Sequence, residues 1–180
     1  DERKNNIEGL LTVEGGKYTT SRKLAETVIN RAMKKTGLTT GESKSAKTYL
    51  ANCEIKNLDE FIRQKQNEYP EFTASQMAYL VKSYGTEIDA VMALSKGNKE
   101  MLASLNADGE NLGQVLYSIR CEMARSLTDI LLRRTGIGLL GHPGEEVLYK
   151  IADLAASELK WDENKKKEEI RCVTEKLNVP

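Results

Sequence analysis

The residues best suited to chemistry form the run GGKYTT at positions 15–20, directly before a segment with helical periodicity. Paired glycines let the backbone approach a ligand closely, and a helix that follows them points its positive dipole end at the same place. A Walker phosphate loop would need glycine at position 11 and serine or threonine at position 18, where Leu11 and Tyr18 stand. From spacing alone, a ligand site and an ordinary glycine turn are equally good interpretations.

Few side chains of this sequence are candidates for metal binding or for nucleophilic catalysis. His142 is the only histidine and stands beside Pro143 in a glycine-rich stretch, so we interpret it as a surface-loop residue rather than a catalytic base. The cysteines are odd in number and far apart, and with a single histidine they cannot complete a zinc site. We therefore expect no metal site, packing roles for the cysteines, and a reducing, cytoplasmic setting. The cysteines are Cys53, Cys121 and Cys172.

Two clusters of charged residues are more typical of structural ion pairs than of a ligand-binding site. Residues 120–134 contain acidic and basic side chains three or four positions apart, which can pair along one helix. An anion site is the alternative, but a ladder of ion pairs neutralises its own charge, so we favour the structural ladder. The expected pairs are Glu122–Arg125, Arg125–Asp129 and Asp129–Arg133, flanked by Arg120 and Arg134. The run KKKEE at residues 165–169 is interpreted as the solvated face of the last helix.

The overall charge argues against a nucleic-acid partner. The chain of 180 residues carries 27 basic and 27 acidic side chains, so its formal net charge is zero and it has no long-range attraction for a polyanion. A helix-turn-helix could be drawn over residues 73–95, but its second helix would carry Glu87 and Asp89 and no cation before Lys96. No run of about 20 apolar residues predicts a membrane span, and the polar first residues are not typical of a signal peptide.

Periodicity divides the chain into a short N-terminal part and a helical remainder. Residues 7–13 are apolar enough for a strand if a partner strand is present. Residues 21–35 show helical spacing, with a predicted cap at Thr19 or Thr20. The stretch 36–56 has no apolar face and is typical of a connector.

From residue 57 onward the apolar spacing predicts helices throughout, and therefore an all-α fold for residues 57–180. Thr73 and Gln76 have capping-box spacing, and Asp162 is placed to cap the last helix. Residues 112–134 predict one long helix or a broken pair of helices. The expected inner stripe of this segment is Leu116, Ile119, Met123, Leu127, Ile130 and Leu131.

Two segments together resemble the FAD-dependent glycerol-3-phosphate dehydrogenases and the related alpha-glycerophosphate oxidases. GGKYTTSRKLAE at residues 15–26 is similar to the segment that closes the flavin domain of this family. QVLYSIRCEMARSLTDILLRRTGIGLL at residues 114–140 resembles the signature of the family's C-terminal helical domain, and the turn at Tyr84 and Gly85 also fits. The motifs lie in the family's order over nearly the whole chain.

The resemblance implies oxidation of sn-glycerol 3-phosphate to dihydroxyacetone phosphate, with hydride transfer to FAD and onward transfer of electrons to a quinone or to oxygen. Lys17 would then lie in the active site, contacting substrate or polarising the flavin edge. Gly15 and Gly16 would admit the backbone close to the isoalloxazine ring, and Thr19 and Thr20 would begin the helix whose positive end faces the flavin. The parent enzyme is expected in the cytoplasm, peripheral at the inner face of the cell membrane.

The resemblance also predicts how the chain is organised. We expect residues 1–36 to be the tail end of the FAD-binding domain (a short strand plus a helix), residues 37–56 a linker, and residues 57–180 the C-terminal helical domain. The Gly-x-Gly-x-x-Gly fingerprint of the flavin domain is expected to be missing, so the chain is predicted to be an inactive C-terminal fragment of such an enzyme. The alternative is a free-standing helical protein-interaction module. The family often has Glu in place of Gln114 and Arg in place of Gly136, which argues against direct roles for these two positions on substrate.

Overall fold

A computed structural model describes residues 7–39, 41–95 and 98–177. Within these ranges every regular element is a helix and no strand is formed, which confirms the predicted all-α fold. The chain forms two compact units, Asp1–Leu50 and Ala51–Pro180, and each is described by itself. The division between them falls inside the stretch that the sequence predicted as a linker.

The first unit is built around one helix, α1 (Ser21–Thr36), preceded by a 3-10 turn at Tyr18–Thr20. The apolar stripe of α1 is only half-buried, and a Cβ atom at Gly15 would lie 2.8 Å from Leu24 Cδ2. The predicted cap at Thr19 or Thr20 is wrong, because no side chain accepts a hydrogen bond from the start of this helix. The Thr20 hydroxyl instead donates backward to the Lys17 carbonyl oxygen at 3.1 Å.

The strand expected at residues 7–13 is not formed. Gly9 lies in a turn with a φ of 81°, and residues 10–17 have no regular structure. A strand needs a neighbouring strand to accept and donate its backbone hydrogen bonds, and the described part of this unit offers none.

The described part of the second unit contains eight further helical segments. They are α2 (Leu58–Glu68), α3 (Ala74–Tyr84), α4 (Ile88–Leu94), α5 (Lys99–Leu102), α6 (Leu112–Arg120), α7 (Leu127–Asp129, continued by a π turn at Ile130–Arg134), α8 (Glu145–Leu159) and α9 (Glu163–Leu177). A 3-10 turn at Gly85–Glu87 joins α3 to α4.

Side-chain caps fix where several of these helices begin. The Thr73 hydroxyl accepts from the Gln76 N–H, and the Gln76 side chain accepts from the Thr73 N–H at 2.9 Å, which is the predicted capping box. Asp162 accepts from the backbone N–H three residues on at 2.7 Å, also as predicted. A second capping box, formed by Asn111 and Gln114, opens α6 and was not predicted.

Two apolar clusters form the core of the second unit, and α6 lies between them in contact with both α4 and α8. The first cluster joins α3 and α4 and contains Phe72, Met77, Leu80, Val81, Tyr84, Ile88, Val91 and Met92. The second joins α6 to α9 and includes Val115, Ile119, Leu127, Ile130, Leu131, Leu148, Ile151 and Val173.

Residues 112–134 form the broken pair of helices. Between α6 and α7, Met123 has a φ of 58° and exposes 75% of its surface, so its predicted place in the inner stripe is wrong. The remaining members of that stripe are buried as predicted. They are Leu116, Ile119, Leu127, Ile130 and Leu131.

A backbone contact between Asn52 and Gly85 fixes the start of the second unit. The Asn52 carbonyl oxygen accepts from the Thr86 N–H at 3.1 Å. A Cβ atom at position 85 would lie 1.9 Å from that same oxygen, and Gly85 has a φ of 56°, so only glycine fits. The glycine at the turn between α3 and α4 is therefore required for docking the chain at Asn52.

The run at residues 165–169 is not solvated along its whole length, so that interpretation is wrong for two of its members. Glu169 is buried, and its Oε2 atom accepts from the Leu127 N–H at 3.0 Å. Lys166 reaches across to Asp153 on α8 at 2.9 Å. The first N–H groups of a helix have no partner within it, and Glu169 supplies one to α7 from the neighbouring helix.

Candidate functional site

The predicted site residues lie on one exposed turn at the start of α1. Lys17 has an extended backbone (φ −121°, ψ 120°), after which the chain enters the 3-10 turn. The Lys17 side chain is exposed and forms no ion pair among the described residues. The whole set consists of Gly15, Gly16, Lys17, Thr19 and Thr20, all of them exposed.

Hydrogen bonds inside the turn determine which of its polar groups remain free to contact a ligand. The Thr20 N–H donates to the Lys17 carbonyl oxygen at 3.3 Å, and the Ser21 N–H donates to the Tyr18 carbonyl oxygen. No side chain of the described residues caps α1. The positive end of this helix therefore faces solvent together with the Lys17 ammonium group.

The two glycines of this turn differ in the space around them. A Cβ atom at Gly16 would meet nothing within 4 Å, so the backbone is open on that side, whereas Gly15 is occupied by its contact with Leu24. The Thr20 hydroxyl is engaged by Lys17, so the threonine contributes through the backbone of the turn rather than as a free donor.

The charge ladder at residues 120–134 forms only in part. Arg133 pairs with Asp129 as expected. The Arg125 backbone N–H, rather than its guanidinium group, donates to Asp129 Oδ2 at 3.1 Å. The expected pair between Glu122 and Arg125 is not formed, because the helix is broken at this point.

Two arginines of this segment hold neighbouring structure. Arg120 donates two hydrogen bonds of 2.8 Å to the Glu158 carboxylate, which fastens the end of α6 to α8. Arg134 donates from Nε to the Glu122 carbonyl oxygen at 2.9 Å, which fastens the end of the π turn to the break between α6 and α7. Both contacts agree with the structural interpretation of the cluster.

Glu110 is a buried carboxyl group that sequence reasoning missed, and its surface is only 1% exposed. Its Oε1 atom accepts from the Gly136 N–H at 2.6 Å and from the Tyr79 hydroxyl at 3.2 Å, and its Oε2 atom accepts from the Asn106 amide at 2.8 Å. A Cβ atom at position 136 would lie 2.3 Å from the Tyr79 hydroxyl oxygen. Gly136, where the resemblance to the family favours arginine, therefore fits the tight packing around Glu110.

Replacing Glu110 by glutamine is expected to change how stability depends on pH. Burial raises the pKa of Glu110 above its ordinary value, against three hydrogen bonds that lower it. The folded state then binds this proton more tightly than the unfolded state, so stability is lost as the pH rises from the unfolded pKa through the folded one. The Glu110→Gln variant lacks this loss. Its free energy of unfolding relative to the wild type should therefore rise as the pH increases above the unfolded pKa of glutamate, about 4.3.

Urea unfolding at a series of pH values measures this effect. The exposed Glu71, changed to glutamine, is the matched control and should leave the pH profile of the wild type unchanged. If the relative stability of Glu110→Gln instead falls with rising pH, then hydrogen bonding outweighs burial at this carboxylate.

The histidine lies where the sequence predicted it, whereas two of the three cysteines do not. His142 lies in the loop before α8 as predicted, and its Nδ1 atom accepts from the Gly144 N–H at 3.1 Å. Cys53 and Cys121 are exposed, so the packing role predicted for them is wrong, while Cys172 is half-buried. Among the described residues, no group of three or more His, Cys, Asp and Glu side chains lies in position to hold a metal ion.

The Gly-x-Gly-x-x-Gly string, expected to be missing, is present at residues 136–141 as GIGLLG. Its structural context is not that of a dinucleotide site, where the string joins a strand to the start of a helix. Here the string follows the π turn, and the Gly138 N–H donates to the Leu131 carbonyl oxygen at 3.1 Å. The glycines close the C-terminal end of α7, so they provide no phosphate cradle.

Comparison with known proteins decides the family. The family described as the C-terminal domain of alpha-glycerophosphate oxidase matches residues 11–166. The chain belongs to this family. The matched range includes both the turn at residues 15–20 and the helical second unit as far as the first residues of α9.

Curated relatives agree with this assignment. The mitochondrial glycerol-3-phosphate dehydrogenase of Rattus norvegicus is 33% identical over 172 residues, which cover 92% of this chain and 23% of the relative. The human enzyme of the same name is 32% identical over 168 residues, covering 90% of this chain and 23% of the relative. The chain thus spans less than a quarter of the length of these relatives. No solved structure gives a significant match.

Both relatives are named as mitochondrial proteins, whereas the sequence predicted a cytoplasmic protein. In the part of the chain that the structure describes, no helix combines the length and the apolar character that crossing a bilayer requires.

Proposed function

We propose that this chain is the C-terminal part of an FAD-dependent sn-glycerol-3-phosphate dehydrogenase. The family match over residues 11–166 is the observation that carries the proposal. It is supported by the relatives, which are named glycerol-3-phosphate dehydrogenases and align with more than nine-tenths of this chain in the rat enzyme. The parent oxidises glycerol 3-phosphate to dihydroxyacetone phosphate and passes the electrons to a quinone or to oxygen.

In this proposal the turn before α1 forms one edge of the active site. FAD, when bound, supplies the group that accepts the hydride. Lys17 contacts the substrate or the flavin edge with its ammonium group, which is exposed and unpaired among the described residues. Gly16 lets the backbone come close to the ligand, and Gly15 beside it lets the turn pack against Leu24. The positive end of the helix that follows Thr19 and Thr20 favours negative charge at that edge.

The helical second unit has a supporting role in the proposal. Its buried carboxyl group, Glu110, is occupied by Gly136, Tyr79 and Asn106, and the Arg120–Glu158 pair joins two of its own helices. These contacts are internal to the unit and hold its helices together. In the proposal, the unit packs on the catalytic part of the parent and supplies no reactive group. The cytoplasmic localisation, peripheral at the inner face of the membrane, remains part of the proposal.

In isolation, this chain is expected neither to retain FAD nor to oxidise glycerol 3-phosphate. Binding FAD requires a phosphate site formed by a strand, a turn and a helix, and the described residues contain no strand. No protein side chain accepts a hydride in place of the flavin. Flavin absorbance after incubation with FAD and removal of free ligand tests retention, and reduction of a quinone analogue or of oxygen tests turnover.

The longer parent protein is the positive control under the same conditions. It should keep its flavin and consume glycerol 3-phosphate, and the preferred acceptor then separates a dehydrogenase from an oxidase. A flavin-loaded 180-residue chain would show that residues outside the predicted turn hold the cofactor. A parent without glycerol 3-phosphate turnover would overturn the proposed function itself.

A further inference from the structure

A cleft of about 430 Å³ lies within the second unit, and none of its residues belongs to the turn before α1. Residues 51–55 form one side of it and the end of α3 forms another. Tyr117 on α6 and Glu122 in the break after α6 complete the lining. Small-molecule sites commonly enclose about 300–1,000 Å³, so the cleft has room for a ligand or for an inserted side chain.

The carboxylate of Glu122 is the unusual group in this cleft. Its Oε2 atom is buried and accepts no hydrogen bond from the described residues. Burial raises the pKa of Glu122, and the charge that opposes this rise belongs to Arg134. The Nε atom of Arg134 is used on the Glu122 backbone carbonyl oxygen, at 2.9 Å. A buried acceptor without a partner is destabilising, which makes this oxygen a candidate for an external donor.

The walls of the cleft provide an aromatic surface and a second carboxylate. The Tyr117 ring packs edge-to-face on Tyr84, with ring centres 5.8 Å apart. Its hydroxyl donates to Glu87 Oε2 at 3.2 Å, and burial together with the Glu87 charge raises the pKa of Tyr117 to about 12. Tyr117 therefore stays neutral. Lys82 also lines the cleft, but its side chain is exposed to solvent, where its charge is screened.

The break after α6 determines where the Glu122 side chain lies. Met123 has a φ of 58°, which is unfavourable for a residue with a side chain, and it exposes 75% of its surface. The N–H groups of Glu122 and Ala124 both donate to the Ser118 carbonyl oxygen, at 3.3 and 2.9 Å. This arrangement turns Met123 outward and places Glu122 in the lining of the cleft. A left-handed residue commonly follows the end of an α-helix, and here it sets the position of Glu122.

We propose that this cleft binds a cationic group carried on an apolar or aromatic stem, with Glu122 as its acceptor and Tyr117 as its wall. An amidinium, a guanidinium or an ammonium group has the N–H donors that Glu122 Oε2 lacks, and its charge neutralises the carboxylate. The face of a tyrosine ring also attracts cations. Glu87 adds a second negative charge at the same wall. The proposal is independent of the dehydrogenase function of the parent.

Benzamidine and its neutral analogue benzamide test the proposal on this chain. Titration is followed by backbone NMR shifts, and benzamidine is expected to move the signals of Asn52, Tyr84 and Tyr117. Benzamidine should bind the wild type at least about tenfold more tightly than benzamide does, because only the amidinium carries the charge. Glu122→Gln keeps the shape of the side chain and should remove this preference. The exposed Glu100, changed to glutamine, is the matched control and should retain it.

The remaining outcomes decide the source of the cation or overturn the proposal. A short blocked peptide with one central arginine that binds more tightly than benzamidine identifies a protein side chain as the occupant. If the peptide binds more weakly, then the cleft takes a small molecule. Equal binding of benzamidine to the wild type and Glu122→Gln, or equal binding of benzamide, contradicts the proposal, and so does the absence of any shift in the cleft.

Discussion

Leu127→Ala is expected to destabilise the second unit by roughly 2–5 kcal/mol, the largest effect on stability that we predict. Leu127 is fully buried at the start of α7, in the cluster that joins α6 to α9. Alanine leaves a cavity in a region held together by several helices at once, and only part of that cavity can close by relaxation. The backbone contact to Glu169 is retained, because the Leu127 N–H makes it.

Chemical denaturation followed by the helical circular dichroism signal measures this change. Lys167→Ala is the control, since Lys167 is exposed on α9 and no contact of its side chain is found among the described residues. Its effect should stay within about 0.5 kcal/mol. Lys166 is less suitable for this purpose than the sequence suggested, because it pairs with Asp153 and Glu163. Similar denaturation midpoints for Leu127→Ala and Lys167→Ala would mean that the inner and outer helix faces are misassigned.

Lys17→Ala in the full-length parent is expected to lower kcat/KM by roughly 2–4 kcal/mol, which corresponds to about 30-fold to about 1,000-fold. The loss is that of a charged contact made to substrate or to the flavin edge. Its ammonium group has no ion pair among the described residues, so the substitution disrupts no internal contact that could account for a loss of activity. Steady-state kinetics with glycerol 3-phosphate measure the effect.

Two controls separate a role in catalysis from a role in folding. Lys34→Ala removes the same charge from the opposite end of α1 and should leave kcat/KM unchanged. In the isolated chain, Lys17→Ala should leave the denaturation midpoint unchanged, because the side chain is exposed. A parent enzyme that keeps its kinetics after Lys17→Ala would show that this residue does not touch the reacting groups.

Local patterns predicted much of the fold. The capping box at Thr73 and Gln76 and the cap at Asp162 each depend on residues three positions apart, so they are visible in the sequence. The buried stripe from Leu116 to Leu131 was visible for the same reason, apart from Met123. The left-handed backbone at Met123 turns its side chain outward, and helical periodicity carries no signal for such a break.

The failures arose where distant residues decide the outcome. Glu169 was assigned to the solvent face because it is charged, yet it is buried against an N–H group 42 positions away in the sequence. Glu110 stands alone after a glycine, and only the fold brings Gly136 to it. The site turn was found through its resemblance to a family motif, and the structure then showed that the Thr20 hydroxyl is used within that turn.

The second capping box has a consequence for which side chains can occupy position 114. Gln114 accepts from the Asn111 N–H through Oε1 and donates from Nε2 to the Tyr84 hydroxyl at 3.3 Å. A glutamate at this position would have the same shape but, when ionised, no donor. The tyrosine would then rotate its own proton toward the carboxylate, so the hydrogen bond reverses direction without being lost. The cost of Gln114→Glu is therefore not the hydrogen bond but the burial of a carboxyl group at a position that exposes 1% of its surface.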